Sequence, residues 1–178
     1  MMNTVFMSAV TTMFLATTAM AKPVAVILDE SNKVTWQAVG TPGFLKINGE
    51  GGQVQGGGDL TAGKISGKFT VELKNYVTGI KLRDEHLKFK YLDVEKYPLA
   101  TMTIKDVATT GSGWVDFKGL LKVKTDEKPI AGKMKLKGDH VEAKFTMSLK
   151  DYPAIGSPSY LGISMADTVD VTLSFRYL

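Results

Sequence analysis

The chain contains no cysteine and only two histidines, His86 and His140. The lack of thiols excludes disulfides and cysteine-ligated zinc or iron–sulfur centres, so the fold must depend on burial of its core. His140 follows a Gly-Asp pair that is typical of a tight turn, which predicts an exposed side chain. We therefore expect neither a metal site nor a cofactor.

Sequence signatures of catalysis are also missing. The chain has no G-x-S-x-G nucleophile elbow and no G-x-x-x-x-G-K-[ST] phosphate loop. Asp84 and His86 lie two residues apart, so on a helix their side chains would point in different directions. The sequence predicts a protein that is not an enzyme and has no catalytic residues.

The first 21 residues contain no Asp, Glu, Lys or Arg. Their apolar run, from about Val5 to Leu15, is short for a bilayer span and is followed by Ala19-Met20-Ala21, a small-x-small cleavage pattern. This predicts a signal peptide over residues 1–21, export to the periplasm, and a single mature domain over residues 22–178.

Most of the remaining chain alternates between apolar and polar residues. Val115, Phe117 and Leu121, for example, alternate with charged residues, and about eight such segments are separated by short glycine- or proline-containing breaks. They predict an all-β fold, an eight-stranded antiparallel β-barrel, because closure removes exposed edges and buries every apolar face in one place. Residues 22–32 are expected to be a lead-in, and the glycine-rich residues 49–63 to be strand ends and bulges.

One segment, KLRDEHLKFKYLDVEKYP at residues 81–98, departs from this alternation. Its Leu87, Tyr91 and Val94 have helical spacing, which predicts a short helical insert near residues 82–96 that caps the mouth of the barrel. Asp84 is expected to cap or begin the helix. Arg83 is predicted either to fasten the insert to the barrel rim or to meet a ligand head group, and the sequence leaves both roles open.

The inward faces of the predicted strands carry no charged residue, so any ligand inside must be mostly apolar. They include Gly67, Gly119, Gly132 and Ala143. Small inward residues are expected both in a hollow barrel and in strongly coiled strands. These positions therefore do not decide between a packed interior and a cavity. An outer-membrane barrel is disfavoured because the opposite faces are rich in lysine.

The segment Arg83-Asp84-Glu85-His86-Leu87, with Lys96-Tyr97-Pro98 after it, resembles the YceI-like family of exported polyisoprenoid-binding proteins. The resemblance covers essentially the whole mature chain and includes Pro42-Gly43-Phe44-Leu45, Lys118-Gly119-Leu120-Leu121 and Tyr160-Leu161-Gly162. The turn at Thr125–Pro129 departs from the family pattern. The resemblance implies a lipocalin-like barrel with an extended isoprenoid, or a similar amphiphile, threaded through a hollow lumen.

On this basis we expect a periplasmic carrier that holds an isoprenoid lipid or a quinone-like ligand. The expected ligand-binding residues are Phe44, Phe69, Val71, Leu73, Arg83, Leu87, Phe117, Leu121, Met134, Leu136, Phe145, Met147, Leu173 and Phe175, with Phe44 and Leu87 near the mouth. The alternative is a non-catalytic, stress-linked periplasmic domain with a packed barrel that acts through its basic surface.

The net charge of +4 and the pI of about 9.1 come almost entirely from lysine. For an exported protein the matching anionic partner is a membrane surface, contacted peripherally, and we expect no nucleic-acid partner. A plain solvated lysine-rich surface accounts for the same charge. The sequence leaves a homodimer open.

Overall fold

The computed structural model describes residues 20–41, 43, 45–110, 113–160 and 163–178. Its strands are β1 (Lys22–Ile27), β2 (Lys33–Thr41), β3 (Lys46–Glu50), β4 (Val54–Thr61), β5 (Lys64–Glu72), β6 (Leu99–Ala108), β7 (Val115–Val123), β8 (Asp126–Lys137), β9 (His140–Ser148), β10 (Ser159–Tyr160) and β11 (Ile163–Tyr177). A helix α1 (Lys81–Glu85) and a π-helical segment (His86–Leu92) lie between β5 and β6, and a short 3-10 turn (Leu149–Asp151) follows β9. Among these residues, no helix is long and apolar enough to cross a membrane.

The predicted closed, eight-stranded antiparallel barrel is confirmed. Strands β1, β4, β5, β6, β7, β8, β9 and β11 follow one another around the ring, each antiparallel to its neighbours. The ring closes where Val26 and Ile27 of β1 pair with Tyr177 and Arg176 of β11. The same edge of β11 also pairs with β2 over most of its length, and β3 pairs with β2.

Alternation along the strands places the apolar faces inside, as predicted. In β7, Phe117, Leu121 and Val123 are buried, whereas Lys118 and Lys122 are exposed. Because successive side chains of a strand point to opposite faces, one correct register places the whole apolar set of a strand in the interior.

Two strands of the ring were not predicted. Residues 22–27, expected to be a lead-in, form β1, and the glycine-rich residues 54–61 form its partner β4. Glycine cannot display alternation, so β4 carries no periodic signal. Its pairing depends on close backbone approach instead: a Cβ at Gly57 would lie 2.2 Å from the carbonyl oxygen of Val24.

Asn32 connects the β1–β2 turn to the start of β4. Its buried side-chain amide donates to the carbonyl of Val54 at 2.8 Å, and its side-chain oxygen accepts from the Val54 N–H at 2.7 Å. A buried amide is tolerated when its hydrogen bonds are satisfied in this way. The contact fixes where β4 begins.

Replacing Gly57 with alanine should destabilise the barrel, because the new methyl group would force β1 and β4 apart. We expect the free energy of unfolding to fall by about 1–3 kcal/mol in urea titrations. Gly113→Ala is the matched control, since nothing lies within 4 Å of a Cβ built there. It should change the stability by less than about 0.5 kcal/mol. Equal effects of the two substitutions would contradict the close-approach explanation.

A chain of apolar cavities beneath a helical cap

The helical insert is present, and most of it is π-helical rather than α-helical. Helix α1 runs directly into the π-helical segment, which ends at Asp93 in the left-handed conformation with a φ of 49°. The wider turn changes which residues face inward: Tyr91 and Leu92 are both buried, although only Tyr91 fits the predicted α-helical spacing. Segments of π-helix are rare and often occur at functional sites.

The side chains of Arg83 and Asp84, at the start of the insert, both form hydrogen bonds with Thr78, which precedes it. Arg83 donates from Nε to Thr78 Oγ1 at 2.7 Å and from a terminal nitrogen to the Thr78 carbonyl at 2.8 Å. Asp84 accepts from the Thr78 N–H at 2.7 Å and from its hydroxyl. Asp84 is thus not the N-cap residue, a position held by Ile80 without a side-chain cap.

The Thr78 contact also connects the insert to the barrel. Val77, the preceding residue, forms a two-hydrogen-bond bridge with Glu50 at the end of β3. Arg83 therefore does fasten the insert, but it holds the segment that leads into the insert, and that segment in turn contacts β3. Arg83 also lines a cavity, and a role in ligand binding stays a prediction.

Tyr91 anchors the C-terminal end of the insert through hydrogen bonds. Its hydroxyl accepts from the Ser159 N–H and donates to the Ser159 carbonyl, both at 2.9 Å. Lys124 Nζ donates to the carbonyls of Tyr91 at 3.0 Å and Ala154 at 2.6 Å. The cap is thus connected to the segment after β9 and to the β7–β8 turn.

Three adjoining cavities run from this cap into the barrel. The inner cavity, of about 130 Å³, lies under the cap. The distal cavity, of about 70 Å³, lies beyond it, and the two share Val54, Phe69, Met102 and Leu173. The cap cavity, of about 50 Å³, shares Trp36, Leu87, Pro158 and Met165 with the inner cavity.

The walls of the inner and distal cavities are apolar. Among the described residues, no charged side chain lines either of them, as the sequence predicts for an apolar ligand. Arg83 and His86 contribute to the cap cavity only. Phe69, which lines both cavities, and Phe175, which lines the distal cavity, form a pair of tilted rings with centroids 5.9 Å apart.

The residues expected to bind ligand line these cavities wherever the structure describes them. The inner cavity is lined by Phe69, Val71, Leu73, Leu87, Leu121, Phe145, Met147 and Leu173, the distal cavity by Phe69, Phe117, Met134, Leu136, Leu173 and Phe175, and the cap cavity by Arg83 and Leu87. Phe44 lies outside the described residues. Ligand binding by these side chains stays a prediction.

The inward glycines do not create the cavity space. A Cβ at Gly119 would lie 2.7 Å from the carbonyl of Thr103, and one at Gly132 would lie 2.4 Å from the carbonyl of Lys144. These glycines, and Gly67, allow neighbouring strands to approach closely in a coiled sheet. Of the four small inward residues, only Ala143 borders the distal cavity.

Several lining residues were not among those predicted. Trp36 and Val34 lie on a strand recognised from its alternation, and Met102 on another, so their inward faces were readable from the sequence. Tyr76 and Pro158 carry no such signal, because they lie in irregular segments that fold back over the barrel. The core consists of three clusters of buried hydrophobic residues, and Tyr76 packs against each of them. Burial raises the pKa of its hydroxyl.

A closed antiparallel barrel with an apolar, capped interior defines the class of small barrels that can hold one ligand. The sequence model of the YceI-like domain matches residues 26–177, so the chain belongs to the YceI-like family. No curated protein matches the chain.

Solved structures with the same fold are remote in sequence. A polyisoprenoid-binding domain from Saccharophagus degradans, described as implicated in plant cell wall breakdown, has a TM-score of 0.64 and 14% identity, and the match covers 86% of this chain and 97% of that one. BcnA from Burkholderia cenocepacia has a TM-score of 0.62 and 16% identity, covering 82% and 96%. The YCEI protein of Campylobacter jejuni has a TM-score of 0.57 and 17% identity, covering 72% and 82%.

Thr78→Val should loosen the cap, because it removes the hydroxyl that both Arg83 and Asp84 contact. We expect faster amide exchange over residues 81–92 and a loss of about 1–3 kcal/mol in the free energy of unfolding. Thr103→Val, the same change on an exposed position of β6, is the control. If both variants exchange like the parent, the Thr78 contacts do not hold the cap.

Proposed function

We propose that the protein is a non-catalytic carrier that holds a long apolar amphiphile, a polyisoprenoid or an isoprenoid quinone, in the barrel lumen. The observation that carries the proposal is the row of adjoining cavities with apolar walls beneath a fastened cap. The S. degradans relative, described as polyisoprenoid-binding, supports the choice of ligand class. Burial of the tail would supply binding energy at about 25 cal/mol per Å² of apolar surface, before the entropy costs of association.

An extended tail would have to join cavities that are separate in this structure. Phe69, Met102 and Leu173 border both the inner and the distal cavity, so a chain running through both must displace them. Methionine side chains suit such a role because they are unbranched and repack easily. Met102, Met147 and Met165 all line the inner cavity.

We also propose that the protein acts in the periplasm. The charge-free residues 1–21, with their small-x-small end, support export by a cleavable signal peptide, and β1 begins directly after them at Lys22. A periplasmic carrier would take up its ligand at a membrane surface.

The outer surface of the cap suits a peripheral membrane contact. Leu82 and Phe89 are 48% and 56% exposed, and Lys81 and Lys88 lie beside them. Apolar side chains that enter the headgroup region, next to lysines that face anionic lipids, are the usual elements of interfacial binding.

The rival function is a packed barrel that acts through its basic surface. Several outward lysines are engaged with carboxylates, Lys133 with Asp116 and Lys144 with Glu142, both at 2.8 Å. Such exposed pairs add little stability, but they reduce the field available for binding an anionic surface. The carrier function is therefore preferred.

Lipid recovery tests the carrier function directly. Organic extraction of the protein purified from its native source, followed by mass spectrometry, should yield an isoprenoid lipid at near-stoichiometric amount. Ala100→Phe should reduce recovery at least tenfold, because Ala100 lines the inner cavity opposite Val71 and the new ring would fill it. Ala131→Phe, the same change at an exposed position of β8, should leave recovery unchanged.

Two results would count against the carrier function. One is the absence of lipid from both native and recombinant protein, and the other is equal recovery from the two phenylalanine variants. Salt-sensitive sedimentation with vesicles, by a protein that carries no lipid, would favour the rival.

Replacing Phe89 with serine should weaken attachment to vesicles of phosphatidylglycerol and phosphatidylethanolamine. We expect the partition coefficient to fall by about tenfold, which corresponds to about 1.4 kcal/mol and to partial burial of one aromatic ring. Leu120→Ser removes an equally apolar, exposed side chain from the outer face of β7 and serves as the control. Similar losses in sedimentation for both variants would show that the cap is not the contact surface.

A further inference from the structure

An aromatic ring lies on the outer wall of the barrel. Trp114 directly precedes β7 and is 40% exposed. Lys144, an outward residue of β9, places its Nζ 4.8 Å from the centroid of the indole. Because β8 separates β7 from β9, this contact places the ring over the outer face of the sheet. A cation held near a ring in this way restricts the ring, and much of the indole still faces solvent.

An outer groove of about 590 Å³ lies beside this ring. Its polar lining comes from outward-facing residues of β8, β9 and β11, namely Lys133, Lys144, Thr146, Asp170 and Thr172. Trp114 and these polar residues do not line the inner, distal or cap cavities. The outer groove therefore offers a second surface for a ligand, outside the lumen.

The charges around the outer groove compensate one another. Lys133 and Lys144 lie directly opposite each other on β8 and β9, an arrangement that destabilises a sheet when the charges are unpaired. Here Lys133 contacts Asp116 and Lys144 contacts Glu142, each at 2.8 Å. Both ammonium groups are thus neutralised locally, so the outer groove favours a neutral ligand over an anion.

A row of polar side chains continues from the outer groove across the sheet. The register pairs Thr146 with Asp170, Asp170 with Gln37, and Gln37 with Asn48. Thr146 donates from its hydroxyl to Asp170 at 2.5 Å, and Gln37 donates from Nε2 to Asn48 Oδ1 at 2.7 Å. Carboxylates and amides have several hydrogen-bonding sites each, so these contacts leave capacity for a ligand. Neighbouring strands lie about 4.8 Å apart, so the row is about 14 Å long.

This combination matches the two kinds of surface that a sugar presents. The C–H groups on one face of a pyranose ring pack well against the electron-rich face of an indole. The hydroxyl and acetamido groups at the ring edge need hydrogen-bond partners, which the polar row provides. The spacing of the strands is close to the length of one pyranose unit in an extended chain, so successive side chains of the row can meet successive sugars. An apolar ligand would leave the same polar groups unpaired.

We propose that the outer groove beside Trp114 binds a neutral, extended glycan, with one pyranose stacked on the indole and others hydrogen-bonded along the row from Thr146 to Asn48. This site goes beyond the carrier function and does not depend on it. A bound glycan would hold the protein on a polysaccharide while the lumen stays available to its own ligand.

Calorimetric titration of the full mature chain with soluble hexasaccharides tests the proposal. Cellohexaose or the β-1,4-linked hexamer of N-acetylglucosamine should bind more tightly than maltohexaose, whose α-linked chain coils. Trp114→Ala should weaken binding by about tenfold or more, and Trp114→Phe, which keeps a smaller ring, should weaken it less. Asp170→Ala should weaken binding by about three- to tenfold, because it removes the acceptor at the start of the row.

Two control variants separate the outer groove from the rest of the barrel. Leu120→Ala removes an exposed apolar side chain from the outer face of β7 and should leave glycan binding unchanged. Ala100→Phe, which fills the inner cavity, should also leave it unchanged, and lipid recovery from Trp114→Ala should match that from the parent protein. Loss of glycan binding in Ala100→Phe would place the sugar in the lumen and overturn the inference.

Other results would also overturn it. One is that neither β-1,4-linked hexasaccharide binds, and another is that Trp114→Ala and Asp170→Ala bind as well as the parent. Tighter binding of polygalacturonate, lost on addition of salt, would show that this face is a basic patch for anions instead. Thermal unfolding checks that Trp114→Ala is folded, and if it is not, Trp114→Phe and Asp170→Ala decide the question.

Discussion

The interior of this protein depends on how its last strand, β11, is paired. β9 occupies one edge of β11, while β2 and then β1 occupy the other, so strands β1 and β11 close the ring. A shift of one residue in any of these registers would turn Leu173 and Phe175 outward, and serine and arginine inward. The apolar lumen therefore depends on these registers, which the alternating hydrophobic pattern of the strands itself favours.

Closure alone would give either a packed core or a hollow one, and the cap covers one side of the inner cavity. The π-helical turn brings Tyr91 and Leu92 together on the inner side, and Leu87 reaches both the cap cavity and the inner cavity. The hydrogen bonds of Thr78 and Ser159 hold the two ends of this segment. The cap thus has an apolar inner face that completes the cavity and an outer face with exposed Leu82 and Phe89.

Buried polar side-chain groups are sparse inside the barrel. Asn32 is satisfied by both backbone groups of Val54 and acts as a structural fastening. Trp36 differs: among the described residues, its buried indole Nε1 has no hydrogen-bond partner.

The alternation of apolar and polar residues in the sequence predicts most of the strands, and it also predicts inward-facing residues such as Phe117 and Phe145. Strand β4 was not, because three consecutive glycines display no faces, and its existence depends on the approach of Val24 and Ser66 from neighbouring strands. The helical insert was placed correctly, but its π-helical form was not predicted, because local spacing does not report the contacts that widen a turn.

By itself, the sequence determined the class of interior: apolar, uncharged and enclosed by antiparallel strands, with family membership carried by the segment around Arg83. Only the tertiary structure decided that the space is divided into three cavities, that Arg83 is engaged with Thr78, and that Trp36 meets Tyr76. The physical reason is that these features depend on long-range contacts and on the volume left between packed side chains, and neither quantity is encoded in local periodicity.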